Sequence, residues 1–145
     1  MNAFSYRVIL KPESEGGFTV TVPSLPGCVT FGSDLEEAME MAKDAVRAYL
    51  ESLKKHSEPI PDDSDTLETN SQFNMAKLPA LTPRGVIQIL EKNGFVLDHT
   101  TGSHRVYYHP ELKRRVVIPF HKKDLPKGTL LTILKQSGIP RDKWS

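Results

Sequence analysis

The sequence predicts an α+β protein made of two small domains, βββα followed by αβββα, on three observations. Short runs of period-two apolar alternation and stretches of helical spacing occur in both halves, with the strands leading in the first and lying between helices in the second. The halves differ in sign: residues 1–74 hold 6 Lys+Arg against 13 Asp+Glu, net −7, and residues 75–145 hold 13 against 5, net +8. Between them residues 58–74, EPIPDDSDTLETNSQFN, are polar and show no periodic apolar face, as expected of a connector. The expected division is a first domain at 1–58, an acidic linker at 59–76 and a second domain at 77–145.

In the first domain residues 4–10 and 18–22 read as strands, the second with alternating Phe18, Val20 and Val22, joined through Gly16 and Gly17. PSLPG at 23–27 is a turn cluster, and residues 28–31 form a third strand that Gly32 ends. Ser33 or Asp34 then caps a helix whose first turn carries Glu36 and Glu37. Its apolar stripe, Leu35, Ala38, Met39, Ala42, Ala45, Val46, Tyr49, Leu50 and Leu53, is expected to cover the three-stranded sheet. The connector offers at most one added edge strand, at 66–69.

In the second domain Thr82 caps and Pro83 opens a helix that buries Val86, Ile87 and Leu90 and stops at Asn93 and Gly94. Residues 95–99, 104–109 and 115–120 read as an antiparallel meander. Pro126 and Lys127 open a last helix that buries Leu130, Leu131, Ile133 and Leu134 and ends at Gly138 and Pro140.

Composition narrows the function classes. The single cysteine, Cys28, leaves no internal disulfide to form, so a reducing cytoplasm is the expected compartment. No apolar run approaches a membrane span, so no membrane partner is expected. The chain has no cysteine pair, helical histidine pair or carboxylate cluster beside a histidine, so neither a metal site nor a cofactor is expected.

Chemistry concentrates in residues 101–110, TGSHRVYYHP. His104 follows a glycine turn at the mouth of a return strand, a position expected to be rigid and open to a ligand. Neutral imidazole suits proton transfer near pH 7, and Arg105, Lys113, Arg114, Arg115, Lys122 and Lys123 would draw a phosphate backbone to it. The residues alone leave alternatives open. A lone histidine at a strand start is also a common hydrogen-bonding residue, the cations can be plain surface charge, and Tyr107 and Tyr108 can stack on bases or pack in a core. His109, beside Pro110, reads as structural, and His99 has no assigned role.

The stretch EGGFTVTVPSLPGCVTFGSDLEEAMEMAKDAVRAYLESL resembles the HicB antitoxin family, over about residues 4–63. The stretches KLPALTPRGVIQILEKNGF, TGSHRVYYHP and VVIPFHKKDLPKGTLLTILKQSGI resemble the HicA toxin family. The first resemblance implies a partial ribonuclease-H-like fold without the nuclease carboxylates, which binds and neutralises a HicA toxin. The second implies a double-stranded-RNA-binding-domain-like fold that cleaves mRNA with a histidine in a GSH motif, by position His104, with Gly102 and Ser103 matching beside it. It also makes His121, in PFH, a second catalytic or phosphate-contacting residue. Gly102, Ser103, Arg105, Lys122, Lys123 and Lys127, with the N-terminus of the last helix, are the expected RNA contacts. The DNA-binding segment that often follows a HicB domain does not follow here, so operator binding is not expected.

Together these readings give a toxin–antitoxin fusion, an endoribonuclease acting on mRNA and autoinhibited by its acidic domain. The polar helix face bearing Glu36, Glu37 and Glu40 is expected to meet the basic half. The domains are expected to bind each other within or between chains, in a homo-oligomer. A non-catalytic RNA-binding protein and a purely structural assembly unit are the alternatives.

Overall fold

The computed structural model describes residues 5–63, 82–120 and 125–144. Strands β1 (Ile9–Pro12), β2 (Phe18–Thr21) and β3 (Val29–Gly32) form an antiparallel sheet in the order β1-β2-β3, followed by helix α1 (Leu35–Lys55). Helix α2 (Pro83–Lys92) leads into a second antiparallel sheet, β4 (Val96–Thr101), β5 (His104–His109) and β6 (Arg114–Pro119), and helix α3 (Lys127–Ser137) closes the chain with a 3-10 turn at Arg141–Lys143. The expected α+β order is therefore present in both halves. The first strand starts later than expected, at Ile9 rather than residue 4, because only Ile9–Pro12 face the ladder of Phe18–Thr21.

The helix ends follow from local chemistry. Asp34 accepts the Glu37 N–H at 2.8 Å and starts α1, and Thr82 accepts the Gly85 N–H at 3.0 Å and starts α2 with Pro83 in its first turn. Gly138, at φ +80°, ends α3 in the left-handed conformation.

The two sheets share one helix. Near its start α1 lays Ala38 and Ala42 on Val20 of its own sheet, with Val8, Leu10 and Phe18 around them. Further along, Ala45, Ala48, Tyr49 and Leu53 pack with Val22, Leu25 and Cys28 against Val106 of β5 and Val117 of β6. Small alanines let the helix come close to both surfaces. The stripe expected to cover one sheet is thus divided between two, and Leu35 and Met39 at its start are left 60% and 39% exposed.

Strand alternation decides what the second sheet shows to each side. Tyr107, Val116 and Ile118 face α2 and α3 and join Val86, Leu90, Phe95, Leu130, Ile133, Leu134 and Trp144 in the larger core. His104, Val106, Tyr108, Arg115 and Val117 face the first unit instead.

The PSLPG turn is the second clamp. Gly27 donates its N–H to Gln136 Oε1 at 2.8 Å, its carbonyl accepts the Val117 N–H at 2.9 Å, and Cys28 makes a parallel bridge with Val117. Gly27 sits at φ +93°, and a side chain there would run into the Arg115 carbonyl, so both conformation and space call for glycine. The first residues of the expected linker lie back on the first unit: the Tyr6 hydroxyl donates to the Pro61 carbonyl at 2.5 Å, and Asp63 takes Arg7 Nε at 3.0 Å and the Ser24 hydroxyl at 2.6 Å. The expected edge strand at 66–69 falls outside the described residues.

Candidate active site

Gly102 and Ser103 are the two-residue loop of the β4–β5 hairpin, in which Thr101 pairs with His104. Gly102 takes φ +56°, and a Cβ on it would lie 2.5 Å from Asp44 Oδ1, so glycine makes room there for a carboxylate of the other unit. The Phe120 N–H donates to the Ser103 carbonyl at 2.6 Å and fixes the far side of the turn.

His104 is fully buried. Its Nδ1 lies 2.9 Å from Asp44 Oδ2 and its Nε2 lies 2.7 Å from Thr30 Oγ1. An ionised carboxylate only accepts, so Nδ1 carries the proton, and in the neutral ring Nε2 accepts from the threonine hydroxyl. The Ser103 N–H donates to the same Asp44 oxygen at 2.8 Å, and the Thr101 hydroxyl donates to Glu51 Oε2 at 2.9 Å. Burial alone would raise the Asp44 pKa. The hydrogen bonds from His104 and Ser103, with the charge of Arg47, outweigh it and hold the pKa below the ordinary aspartate value.

Two expectations are corrected. His104 is not open to a ligand in this chain, because α1 and β3 close over the sheet face that bears it. Nor does the Glu36, Glu37 and Glu40 face meet the basic half. Glu37 turns back to the Ser33 N–H at 3.0 Å, and Glu40 pairs with Lys43 at 3.8 Å on a face where both side chains are 71% exposed. The helix puts Asp44, one turn further on, against the second unit instead.

The other expected site residues are spread more widely. Arg105 faces away from His104, with its guanidinium 3.8 Å from the Phe120 ring centroid. The two border an open cavity of about 450 Å³ with Arg84, Ile87 and Leu125. Lys127 is exposed in the first turn of α3, where the Thr129 hydroxyl of that turn lies 2.6 Å from Thr19 Oγ1, itself 2.6 Å from Glu13 Oε2. His121, Lys122 and Lys123 fall outside the described residues. His109 is structural in geometry, its ring edge-on to Phe95 at 5.3 Å and its Nδ1 accepting the Leu112 N–H at 3.1 Å.

A second polar cluster joins the units around Asp98 of β4, whose side chain is 6% exposed. It takes the Ser52 hydroxyl at 2.9 Å, Lys55 Nζ at 3.1 Å, His56 Nε2 at 2.8 Å and His99 Nδ1 at 3.1 Å. Burial works against its charge, but these four hydrogen bonds prevail and bring its pKa down to about 2. Asp44, Thr30 and Asp98 were not found from sequence. The available signal for Asp44 was a carboxylate adjoining the alanine stripe.

A buried histidine of one small α+β unit is thus held by a carboxylate and a hydroxyl of another. The family model of the HicB-like antitoxin of bacterial toxin–antitoxin systems matches residues 6–78, and that of the HicA toxin matches residues 83–139. The chain belongs to the HicB-like antitoxin family and carries a HicA toxin domain in the same polypeptide. It is 51% identical over 59 residues to a UPF0150 protein of Thermoplasma acidophilum, covering 41% of this chain and 86% of the relative. It is 31% identical over 114 residues to antitoxin HicB of Escherichia coli, covering 79% of this chain and 73% of the relative. Antitoxin HicB 1 of Photorhabdus laumondii is 43% identical over 56 residues, 39% of this chain and 36% of the relative. The chain is thus a toxin–antitoxin module. No helix among the described residues is long and apolar enough to cross a membrane.

Proposed function

We propose that the second unit is a metal-independent mRNA endoribonuclease with His104 as its proton-transfer residue, and that the first unit keeps it inactive in the cytoplasm. The supporting observation is the occupation of both ring nitrogens of His104, by Asp44 and Thr30. A base whose Nε2 already accepts a hydroxyl cannot take the proton of a ribose 2′-hydroxyl.

With the first unit displaced, His104 removes the 2′-hydroxyl proton, the 2′-oxygen attacks phosphorus, and the bond from phosphorus to the 5′-oxygen breaks. The leaving oxygen takes a proton from His121 or water, giving a 2′,3′-cyclic phosphate and a 5′-hydroxyl. The Ser103 N–H, now on Asp44, is a donor for a phosphate oxygen, and Arg105, Lys122, Lys123 and Lys127 supply positive charge. Asp44 therefore stands where an anionic substrate group would stand. This reading keeps the partial ribonuclease-H-like and double-stranded-RNA-binding-like folds for the two units, and the division at 1–58, 59–76 and 77–145. It also keeps a homo-oligomer as a separate expectation, which light scattering decides.

The test is cleavage of a single-stranded RNA by the full chain in the presence of a chelator. The unaltered chain is expected to be silent, Asp44→Lys to cleave, and Asp44→Lys with His104→Ala to be silent again. Equal cleavage by the single and double variants would overturn the role of His104.

A further inference from the structure

The sheet face that the first unit covers extends beyond His104. Tyr108 lies four residues along β5 on the same side, about 13 Å away at the rise of an extended strand. Arg115 of β6 is its cross-strand partner. Both are buried, at 6% and 4% exposure, and both are held by groups from the end of α1. The His56 ring stacks on Tyr108 at 3.9 Å between centroids, 17° from parallel. The Glu58 carboxylate accepts from Arg115 Nη2 and, at 3.3 Å, from the Tyr108 hydroxyl.

Docking stability does not explain this pair. A guanidinium taken out of water is costly even with Glu58 on it and the Tyr49 and Tyr108 ring centroids 5.6 and 5.0 Å away, and among the described residues Arg115 Nε is the buried side-chain polar atom with no hydrogen-bond partner. An aliphatic side chain would seal the Val106 and Val117 surface at lower cost. A guanidinium beside an aromatic ring is instead well matched to a nucleotide. The ring offers its face to a base, and the planar fork, with Nε still unfilled, takes two oxygens of a phosphate. The groups now on these positions have those two shapes, a flat heteroaromatic ring and an anionic pair of oxygens.

We propose that Tyr108 and Arg115 form a nucleotide subsite for unpaired RNA, Tyr108 stacking on a base and Arg115 binding the adjoining phosphate, and that His56 and Glu58 occupy it by imitation. It rests on the ribonuclease reading above and specifies its substrate: a base can reach the Tyr108 ring face only when it is out of a duplex. Tyr107, the neighbouring tyrosine, faces α2 and α3 and takes no part.

The test uses the full chain opened by Asp44→Lys and Glu58→Lys, with binding of a 2′-O-methyl RNA oligonucleotide read by fluorescence anisotropy. This ligand lacks the nucleophilic hydroxyl, so binding is measured apart from cleavage. Adding Tyr108→Leu is expected to weaken single-strand binding about 5- to 150-fold, while Tyr108→Phe keeps it. Adding Arg115→Met weakens it and reduces the slope of log affinity against log salt by about 1. Neither Tyr108 variant changes affinity for a duplex of the same sequence. Fluorescence of the buried Trp144 checks that each variant is folded, and Tyr108→Phe serves as the conservative rescue. Binding that depends on Tyr108 and Arg115 without cleavage of ordinary RNA leaves the subsite standing and removes the ribonuclease reading. Cleavage with affinity unmoved by Tyr108→Leu and Arg115→Met overturns the subsite alone, and no binding by the opened chain overturns both.

Discussion

At the scale of single residues, His104 is both the reactive group and part of the interface. An exposed imidazole would be removable with little structural effect, but this one sits between Asp44 and Thr30 with no solvent exposure. Truncating it leaves a depressed-pKa carboxylate and a buried hydroxyl without their shared partner. His104→Ala in the full chain is therefore expected to cost about 1–3 kcal/mol of stability. Denaturant unfolding of the two chains, compared at neutral pH, checks it: an unchanged midpoint with an unchanged slope would mean that the histidine contributes nothing to closure. Thr30→Val, which keeps the shape of the side chain and removes the hydroxyl, is expected to free Nε2 while leaving Asp44 on Nδ1. Its cleavage rate, set beside that of Asp44→Lys, tells which ring nitrogen inhibition acts on.

At the scale of elements, most of the architecture was readable because it is written in local chemistry. Thr82 and Pro83, Asn93, Gly138 and the alternation of β5 and β6 each fix a boundary by a cap, a turn or a period of two. What sequence did not show was which face of an element meets which partner. The α1 stripe has one periodicity but two destinations, and nothing in the spacing of Ala42 and Ala45 marks where the first sheet hands over to the second. The same limit hid the site. His104 was legible from its turn, whereas Asp44 and Thr30 come from elements far away in sequence and are brought to it only by docking. The PSLPG turn tests this docking directly. Gly27→Ala imposes a left-handed φ on alanine and drives its methyl into the Arg115 carbonyl, whereas Gly16→Ala imposes a similar φ of +104° with nothing within 4 Å. Backbone strain of about 1–3 kcal/mol is common to both. Gly27→Ala is expected to lower Tm further than Gly16→Ala does, and to raise RNA cleavage by the full chain. Equal shifts in Tm with silent cleavage would show that the turn does not hold the units together.

At the scale of the whole molecule, closure combines an apolar seam with carboxylates placed against donors of the other unit. Val106 and Val117 meet Ala45, Ala48 and Leu25 along the seam. The carboxylates make closure sensitive to acid. Asp98 has a folded pKa of about 2, below the ordinary value, and Asp44 is shifted in the same direction. A group depressed in this way contributes stability that is fully present above its unfolded pKa, near 4, and is lost as pH falls through the folded value. Closure is therefore expected to weaken between about pH 4 and pH 2, as Ser52, Lys55, His56 and His99 lose the anion they share. Asp98→Asn removes that titration. The variant is expected to be less stable than the unaltered chain at pH 7 and to lose less stability on acidification, so the two curves converge near pH 2. Urea unfolding in steps from pH 5 to pH 2 measures both curves, and parallel curves would show that Asp98 is not a group through which acid opens the chain.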